Sequence, residues 1–194
     1  MKKVMLSILV LALATIMVSN SNAASKLSLS VGPDVLIPMG TFGDAVSTGF
    51  GGSVRGQYDI NTMASVGLTV GYYTWSGKDV AGVSLPNFKG LPIRVFGKYY
   101  FMPDGAARVY GIAELGLFFS SVDVPSQTIG GFTVGGGSAS SSDFNYAPGV
   151  GVELPLGSGS TKLDVSIRYD GIATSGSSSG SLGARVGINF PLGS

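Results

Sequence analysis

The amino-acid sequence predicts an all-β fold, namely an eight-stranded antiparallel up-and-down transmembrane β-barrel. Three observations support this prediction. Apolar residues alternate with polar or small residues along eight segments, charges of both signs share one parity, and aromatic residues on the other parity gather toward the segment ends. Successive side chains of a strand point to opposite faces, so each segment would have one apolar and one polar face.

The first four segments lie between residues 27 and 101 and show the two-residue period of a strand. Helix is disfavoured because glycine recurs every few residues along them. We expect Pro33 to bend or end the first strand. Segment by segment, the apolar parity holds Leu27, Leu29 and Val31; Phe50, Gly52, Val54, Gly56 and Tyr58; Ala64, Val66, Leu68, Val70 and Tyr72; and Leu91, Ile93, Val95, Gly97, Tyr99 and Phe101.

The last four segments continue this alternation to residue 190. Most segments run for about 9 to 13 residues, which is longer than strands of soluble sheets and suffices to cross a membrane at a tilt. Their apolar parity holds Val109, Gly111, Ala113, Leu115, Leu117 and Phe119; Phe144, Tyr146, Pro148, Val150, Val152 and Leu154; Leu163, Val165, Ile167 and Tyr169; and Leu182, Ala184, Val186, Ile188 and Phe190.

The connections between segments alternate strictly in length, as expected for short periplasmic turns and longer extracellular loops. The predicted turns are Asp59–Asn61, Met102–Ala106 and Pro155–Thr161. The predicted loops are Pro38–Ser47, Ser76–Asn87, Ser120–Asp143 and Ala173–Gly180. A soluble lipocalin-like barrel also has uneven loops, but it gives no reason for strict alternation.

The polar parity carries charges of both signs, which would pair inside a narrow barrel while the apolar parity faces lipid. In a soluble barrel the two faces would be exchanged. The predicted polar network of the lumen comprises Arg55, Arg94, Lys98, Glu114, Glu153, Asp164, Arg168 and Arg185.

The aromatic residues favour the membrane alternative. Those on the apolar parity lie toward segment ends, whereas the middles are aliphatic or glycine, as membrane interfaces select. One predicted belt, next to the long loops, comprises Phe50, Tyr72, Phe119, Phe144, Tyr146 and Tyr169. The other, next to the turns and the terminus, comprises Tyr58, Tyr99, Phe101 and Phe190.

The N-terminus has the pattern of an export signal. Lys2 and Lys3 precede an apolar run from Val4 to Val18, and Ser21-Asn22-Ala23 resembles a signal-peptidase site. We therefore expect residues 1–23 to form a cleaved signal peptide and residues 24–194 to form the barrel. No later run of some 18 apolar residues predicts a transmembrane helix.

The amino-acid composition limits the catalytic and metal-binding chemistry that the protein could carry out. Only 12% of the 194 residues are charged and the net charge is +1, whereas soluble domains have about 25% charged residues. Because cysteine and histidine are absent, thiolate metal sites and histidine-based triads are excluded. Glu114, Glu153 and Asp164 could form a catalytic carboxylate pair, but ion pairs with neighbouring arginines are favoured. We expect no enzyme activity, no catalytic residue, no metal, no cofactor and no nucleic-acid partner.

The export signal, the alternating strands and the closing "SLGARVGINF" together resemble a known family. The chain, from about Lys26 to Phe190, is similar to a small outer-membrane β-barrel protein of the OmpA/OmpX-like class, the outer membrane protein beta-barrel domain type. The resemblance implies residence in the cell outer membrane, contact with its lipid, and a monomer. It also implies recognition by the barrel-assembly machinery through Gly187, Ile188 and Phe190, although "PLGS" follows the closing aromatic here.

Three functional hypotheses follow from the sequence. Eight strands leave an interior filled by side chains rather than an open pore, so the leading hypothesis is a non-enzymatic integral barrel with a structural or surface-interaction role. The alternatives are a binder or conduit for a small apolar ligand and a soluble periplasmic lipocalin-like carrier. The sequence indicates no particular surface partner.

Overall fold

The structure is a computed structural model that describes residues 26–80, 83–124, 127–129, 132–134, 136–157, 159–174 and 177–192. The predicted signal peptide, residues 1–23, lies outside these described residues. Within them, no helix is both long and apolar enough to span a membrane.

Eight long strands form a closed antiparallel barrel, as the sequence predicts. Twelve strands and one short helix are present in the described residues. In chain order they are β1 (Leu27–Met39), α1 (Gly40–Ala45), β2 (Gly49–Asp59), β3 (Ala64–Trp75), β4 (Asp79–Val80), β5 (Val83–Ser84), β6 (Asn87–Tyr100), β7 (Arg108–Val124), β8 (Gln127–Ile129), β9 (Phe132–Val134), β10 (Gly137–Pro155), β11 (Lys162–Thr174) and β12 (Ser177–Pro191). The barrel closes in the order β1-β12-β11-β10-β7-β6-β3-β2, so each long strand pairs with its sequence neighbours and β1 pairs with β12.

The long connections contain more secondary structure than the sequence analysis expected. Helix α1 occupies the first, the hairpin β4–β5 the second and the hairpin β8–β9 the third. The predicted loop Ser120–Asp143 is wrong at both ends, because β7 and β10 remain paired out to Val124 and Gly137. This long strand pair extends the barrel wall beyond the aromatic side chains of Phe119 and Phe144.

Three prolines each interrupt one ladder of the barrel without ending a strand. Pro33 falls in the gap between β1 and β12, Pro92 in the gap between β3 and β6, and Pro148 in the gap between β10 and β11. Proline has no N–H to donate, so it weakens pairing with one neighbour. The other neighbour still pairs across each proline. Strand β1 therefore continues past Pro33 to Met39.

The barrel is apolar outside and polar inside. On β6, the side chain of Val95 is 60% exposed on the outer surface, whereas Arg94 is fully buried and Lys98 is 3% exposed. The same alternation holds on β11, where Ile167 is 53% exposed between the buried Ser166 and Arg168. A soluble barrel would bury the apolar face, so this arrangement is that of a barrel surrounded by lipid.

Candidate functional site

The centre of the lumen is occupied by Glu114 of β7, which lies between two arginines of other strands. Its carboxylate accepts a hydrogen bond from Arg55 Nη2 of β2 at 2.8 Å and forms an ion pair with Arg94 Nε of β6 at 3.0 Å. All three side chains are at most 1% exposed. Each of the three side chains points inward from its strand, and closure of the barrel brings the three charged groups together.

Toward the extracellular end, Asp170 of β11 continues the network by pairing with both Arg94 and Arg168. Arg168 also pairs with Asp34 of β1 at 2.8 Å. The hydroxyl of Tyr73 accepts hydrogen bonds from Arg94 Nη2 at 3.2 Å and from Arg168 Nη2 at 2.9 Å. These contacts connect β1, β3, β6 and β11 across the lumen.

Toward the periplasmic end, Lys98 lies between two carboxylates, at 2.9 Å from Glu153 and 3.3 Å from Asp164. Tyr100 donates to Glu153 at 2.7 Å, and Tyr110 donates to Asp164. Both tyrosines are fully buried. Hydroxyl donors here satisfy carboxylate oxygens that water cannot reach, which lowers the cost of burying these charges.

Asp164 also links this lower cluster to the rest of the network. Arg55 lies 3.7 Å from it and Arg185 lies 3.5 Å from it. Arg185 additionally donates to Ser53 and Ser30, each at 2.9 Å. At the periplasmic rim, Arg108 and Lys162 lie 3.4 and 3.6 Å from Glu153. These ion pairs of the lumen therefore belong to one connected network.

The structure places all eight residues predicted for the lumen in this single network. Sequence analysis did not select two further acidic members, Asp34 and Asp170, although both lie on the inward parity and could have been found by extending β1 past Pro33 and β11 past Tyr169. With them, buried charges balance. The buried cations are Arg55, Arg94, Lys98, Arg168 and Arg185, and the buried anions are Asp34, Glu114, Glu153, Asp164 and Asp170.

An aromatic cluster closes the extracellular end of the lumen. Trp75 is 2% exposed, and the ring of Phe42 on α1 contacts it edge-on at 5.8 Å between centroids. Phe88 packs against Phe42 at 5.3 Å and stacks on Phe118 at 6.2 Å. Sequence analysis missed these inward aromatic residues. The signal was available at Tyr72 and Tyr73, because adjacent aromatic residues in a strand must face opposite sides.

Little space remains beneath this aromatic cluster. A cavity of about 10 Å³ lies between Trp75, Phe118, Asn145 and Asp170. A cavity of this size holds about one water molecule. The periplasmic mouth is wider, with an open depression of about 400 Å³ that Lys26, Asp59 and Arg108 help to line. In the part of the chain that the structure describes, charged side chains fill the centre of the lumen and the aromatic cluster fills its extracellular end.

Nine residues of the two predicted belts lie on the outward face of their strands, and the tenth, Phe101, directly follows β6. Nine of the ten side chains are between 36% and 61% exposed. Tyr146 is half-buried, because its ring lies over Gly171 of the neighbouring strand, where an added Cβ would come within 2.4 Å of the ring.

The described residues contain no group of three or more acidic, histidine or cysteine side chains placed to hold a metal ion. Every buried carboxylate of the lumen instead faces an arginine or a lysine. These carboxylates therefore pair with cationic side chains of the protein itself.

The chain matches the family model described as outer membrane protein beta-barrel domain over residues 8–190. It belongs to this family. The protein is accordingly a small barrel of the OmpA/OmpX-like kind that resides in the cell outer membrane, with its strands in lipid. Comparison with curated protein sequences finds no match.

Solved structures of other outer-membrane barrels share the fold at low sequence identity. Neisserial surface protein A is 18% identical with a TM-score of 0.62, over 86% of this chain and 97% of that one. A major outer membrane protein from Thermus thermophilus is 14% identical with a TM-score of 0.60, over 84% and 98%. OprG from Pseudomonas aeruginosa is 12% identical with a TM-score of 0.55, over 87% and 96%. These likenesses concern the fold alone.

Proposed function

We propose that the protein is a non-enzymatic integral barrel that acts structurally and through its extracellular surface. The observation that supports this proposal is the packed lumen. The charge-balanced network fills its centre, and the aromatic cluster around Trp75 covers its extracellular end. Such an interior stabilises the barrel but offers substrates and solutes no path through it.

The lumen carboxylates are poor candidates for catalysis. Glu114 is fully buried between Arg55 and Arg94, and a general acid or base must reach a substrate proton directly or through one water. Glu153, also fully buried, accepts from Lys98 and Tyr100. These contacts support a structural role for the network.

Membrane residence and the small volume of the cavity beneath the aromatic cluster argue against the two alternatives from the sequence analysis. Residence in the outer membrane is incompatible with a soluble periplasmic carrier. A conduit for apolar ligands would need space at the extracellular end, where the cavity between Trp75 and Asn145 has a volume of about 10 Å³. The alternative therefore requires the cluster around Trp75 to open.

Several further features belong to this proposal. Residues 1–23 act as a cleaved signal peptide, which exports a barrel that begins at residue 24. The barrel-assembly machinery recognises β12, whose end carries Gly187, Ile188 and Phe190. The barrel is a monomer whose outer aromatic residues sit at the two membrane interfaces and whose lumen network acts as a structural support.

Electrical recordings in planar lipid bilayers test the packed-lumen proposal. The purified barrel is expected to insert without producing stable ohmic steps, because the described charged and aromatic side chains occupy the lumen. Insertion is checked separately by its heat-modifiable migration on a denaturing gel. Regular conductance steps from the folded, wild-type barrel would contradict the proposal and favour a conduit.

A further inference from the structure

The cavity beneath the aromatic cluster has both apolar and polar walls, within a volume of about 10 Å³. Its apolar lining comprises Leu36, Phe42, Trp75, Phe118 and Ile172. Its polar lining comes from three adjacent strands, with Asn145 on β10, Asp170 on β11, and Ser179 and Ser181 on β12. The cavity therefore lies where the aromatic cluster meets the charged network of the lumen.

Strand pairing holds the polar residues of this cavity at neighbouring positions. Asn145 lies opposite Ile172, which in turn lies opposite Ser179. Asp170 lies opposite Ser181, one inward position closer to the periplasm. These side chains share the inward face of their strands, because residues two apart in a strand point to the same side. Their polar groups therefore line one short stretch of the lumen.

Asn145 has a buried side-chain oxygen that lacks a donor. The residue is 1% exposed, and its Nδ2 donates a hydrogen bond to the carbonyl oxygen of Gly171 at 2.8 Å. This bond fixes the amide, because the reverse orientation would bring two acceptor oxygens together. Among the described residues, no donor forms a hydrogen bond with Asn145 Oδ1. A buried acceptor without a donor is costly, so this oxygen requires one.

Asp170 supplies a second buried oxygen of this kind. Its Oδ1 pairs with Arg94 Nη1, whereas its Oδ2 lies 2.8 Å from Arg168 Nε without forming a hydrogen bond with any described residue. Gly183 of β12 leaves room for this oxygen, since an added Cβ there would lie 2.6 Å from it. Two residues that line the cavity thus each have a buried oxygen that needs a donor.

We infer that a single water molecule binds in this cavity and donates one hydrogen bond to Asn145 Oδ1 and one to Asp170 Oδ2. Water has two O–H donors, which is the number that the two oxygens require. Buried waters typically make about three hydrogen bonds to otherwise unpaired polar groups, and a hydroxyl of Ser179 or Ser181 supplies the third. The water thereby extends the hydrogen-bonded network of the lumen to Asn145, beneath the aromatic cluster.

Volume and charge select water over other occupants. A cavity of about 10 Å³ admits one water molecule and no organic ligand. A small metal cation would also fit, since carboxylate and amide oxygens are ligands of hard cations. However, the buried cations and anions of the described lumen are equal in number, so a further cation would be an uncompensated charge in a low-dielectric interior. A neutral donor satisfies both oxygens without that cost.

Crystal structures of the full barrel, at a resolution that shows ordered water, test this inference. Wild type is expected to show one solvent peak at roughly 2.8 Å from both Asn145 Oδ1 and Asp170 Oδ2, the usual distance of an O–H···O hydrogen bond. Asn145→Leu removes one of the two acceptors and replaces the amide by an apolar group of similar size. The solvent peak should therefore be lost in this variant.

Ser179 offers a matched pair of further variants. Ser179→Ala keeps both acceptor oxygens and the space between them, so the solvent peak should persist. Ser179→Val also keeps both oxygens but fills the space with methyl groups, so the peak should be lost. This pair tests the site without altering either acceptor, and it serves if Asn145→Leu does not fold. Heat-modifiable migration verifies the folding of each variant.

Three outcomes would overturn the inference. One is a wild-type cavity without a solvent peak at the two oxygens. Another is a peak with contacts of roughly 2.4 Å to both oxygens, which is the distance of a hard cation. The third is a peak that persists in the folded Asn145→Leu or Ser179→Val variant. None of these outcomes alters the conductance test, because the surrounding side chains fill the lumen with or without this water.

Discussion

At the residue scale, Glu114 has the most demanding position in the barrel. It is fully buried and lies within 3.0 Å of guanidinium nitrogens from both Arg55 and Arg94. Burial of a charge in a low-dielectric interior is costly unless partners compensate it. The equal number of buried cations and anions provides this compensation, and removal of one carboxylate upsets it.

Glu114→Gln is therefore expected to destabilise the folded barrel by about 3 kcal/mol, because breaking a buried ion pair leaves an uncompensated charge. The measurement is urea-dependent unfolding in lipid vesicles. Asp104→Asn in the exposed turn serves as the control and should stay within about 0.5 kcal/mol of wild type. Equal stability of the two variants would show that Glu114 does not hold the arginines together.

Residue-level sequence reasoning is most effective where a strand is regular. The inward face of β6 could be predicted directly, because Arg94 and Lys98 lie within an uninterrupted two-residue pattern. Asp34 follows Pro33, where sequence rules place a strand end, and it was missed for that reason. The pairings themselves could not be predicted, since Arg55 and Glu114 are 59 residues apart and meet only through closure of the barrel.

At the element scale, helix α1 is the part of the fold that the alternation could not predict. Its six residues, Gly40–Ala45, include no buried residue and no side-chain cap. Tertiary contacts stabilise it instead, since Phe42 packs on Trp75 and Phe88 and Lys78 donates to the carbonyl of Gly43 at 2.5 Å. A helix this short has little stability of its own. Strand periodicity is local, whereas this packing is not.

The covering role of α1 can be followed through Trp75, the single tryptophan of the chain. Phe42→Ala removes the ring that shields it, so quenching of its fluorescence by acrylamide should increase severalfold while the barrel stays folded. Phe50→Ala removes an outward ring near the same loop and should leave quenching unchanged. If quenching is the same for Phe42→Ala and wild type, α1 does not seal the extracellular end.

At the scale of the whole molecule, the barrel carries its apolar side chains outside and its charged side chains inside, which is the reverse of a soluble protein. The sequence predicts the facing of the strands from their two-residue periodicity, their number from the eight alternating segments, and their order from the alternation of short turns and long loops. The lengths of β7 and β10 were underestimated, because the stretch between residues 130 and 143 is rich in glycine and serine, which sequence rules assign to loops. Long-range pairing with β7 overrides that local preference.

Contact of the apolar outer face with lipid can be tested at Leu115, which is 50% exposed on the outer surface beside the buried Glu114. Leu115→Arg would place a charge in the apolar band and should weaken folding into lipid vesicles by about 2–4 kcal/mol. Leu115→Ile keeps the site apolar and is the matched control. Urea-dependent folding into lipid vesicles measures both free energies.

The lumen-facing comparison for this test needs a position that tolerates change. Gly116 is unsuitable, because an added Cβ would lie 2.0 Å from the carbonyl oxygen of Ile93. Ser166 is suitable, since it is 2% exposed inside the barrel and its hydroxyl has no hydrogen-bond partner among the described residues. Ser166→Ala should therefore leave stability unchanged or raise it slightly, because it removes an unsatisfied buried group. If Leu115→Arg folds as stably as Leu115→Ile, the apolar outer face does not meet lipid.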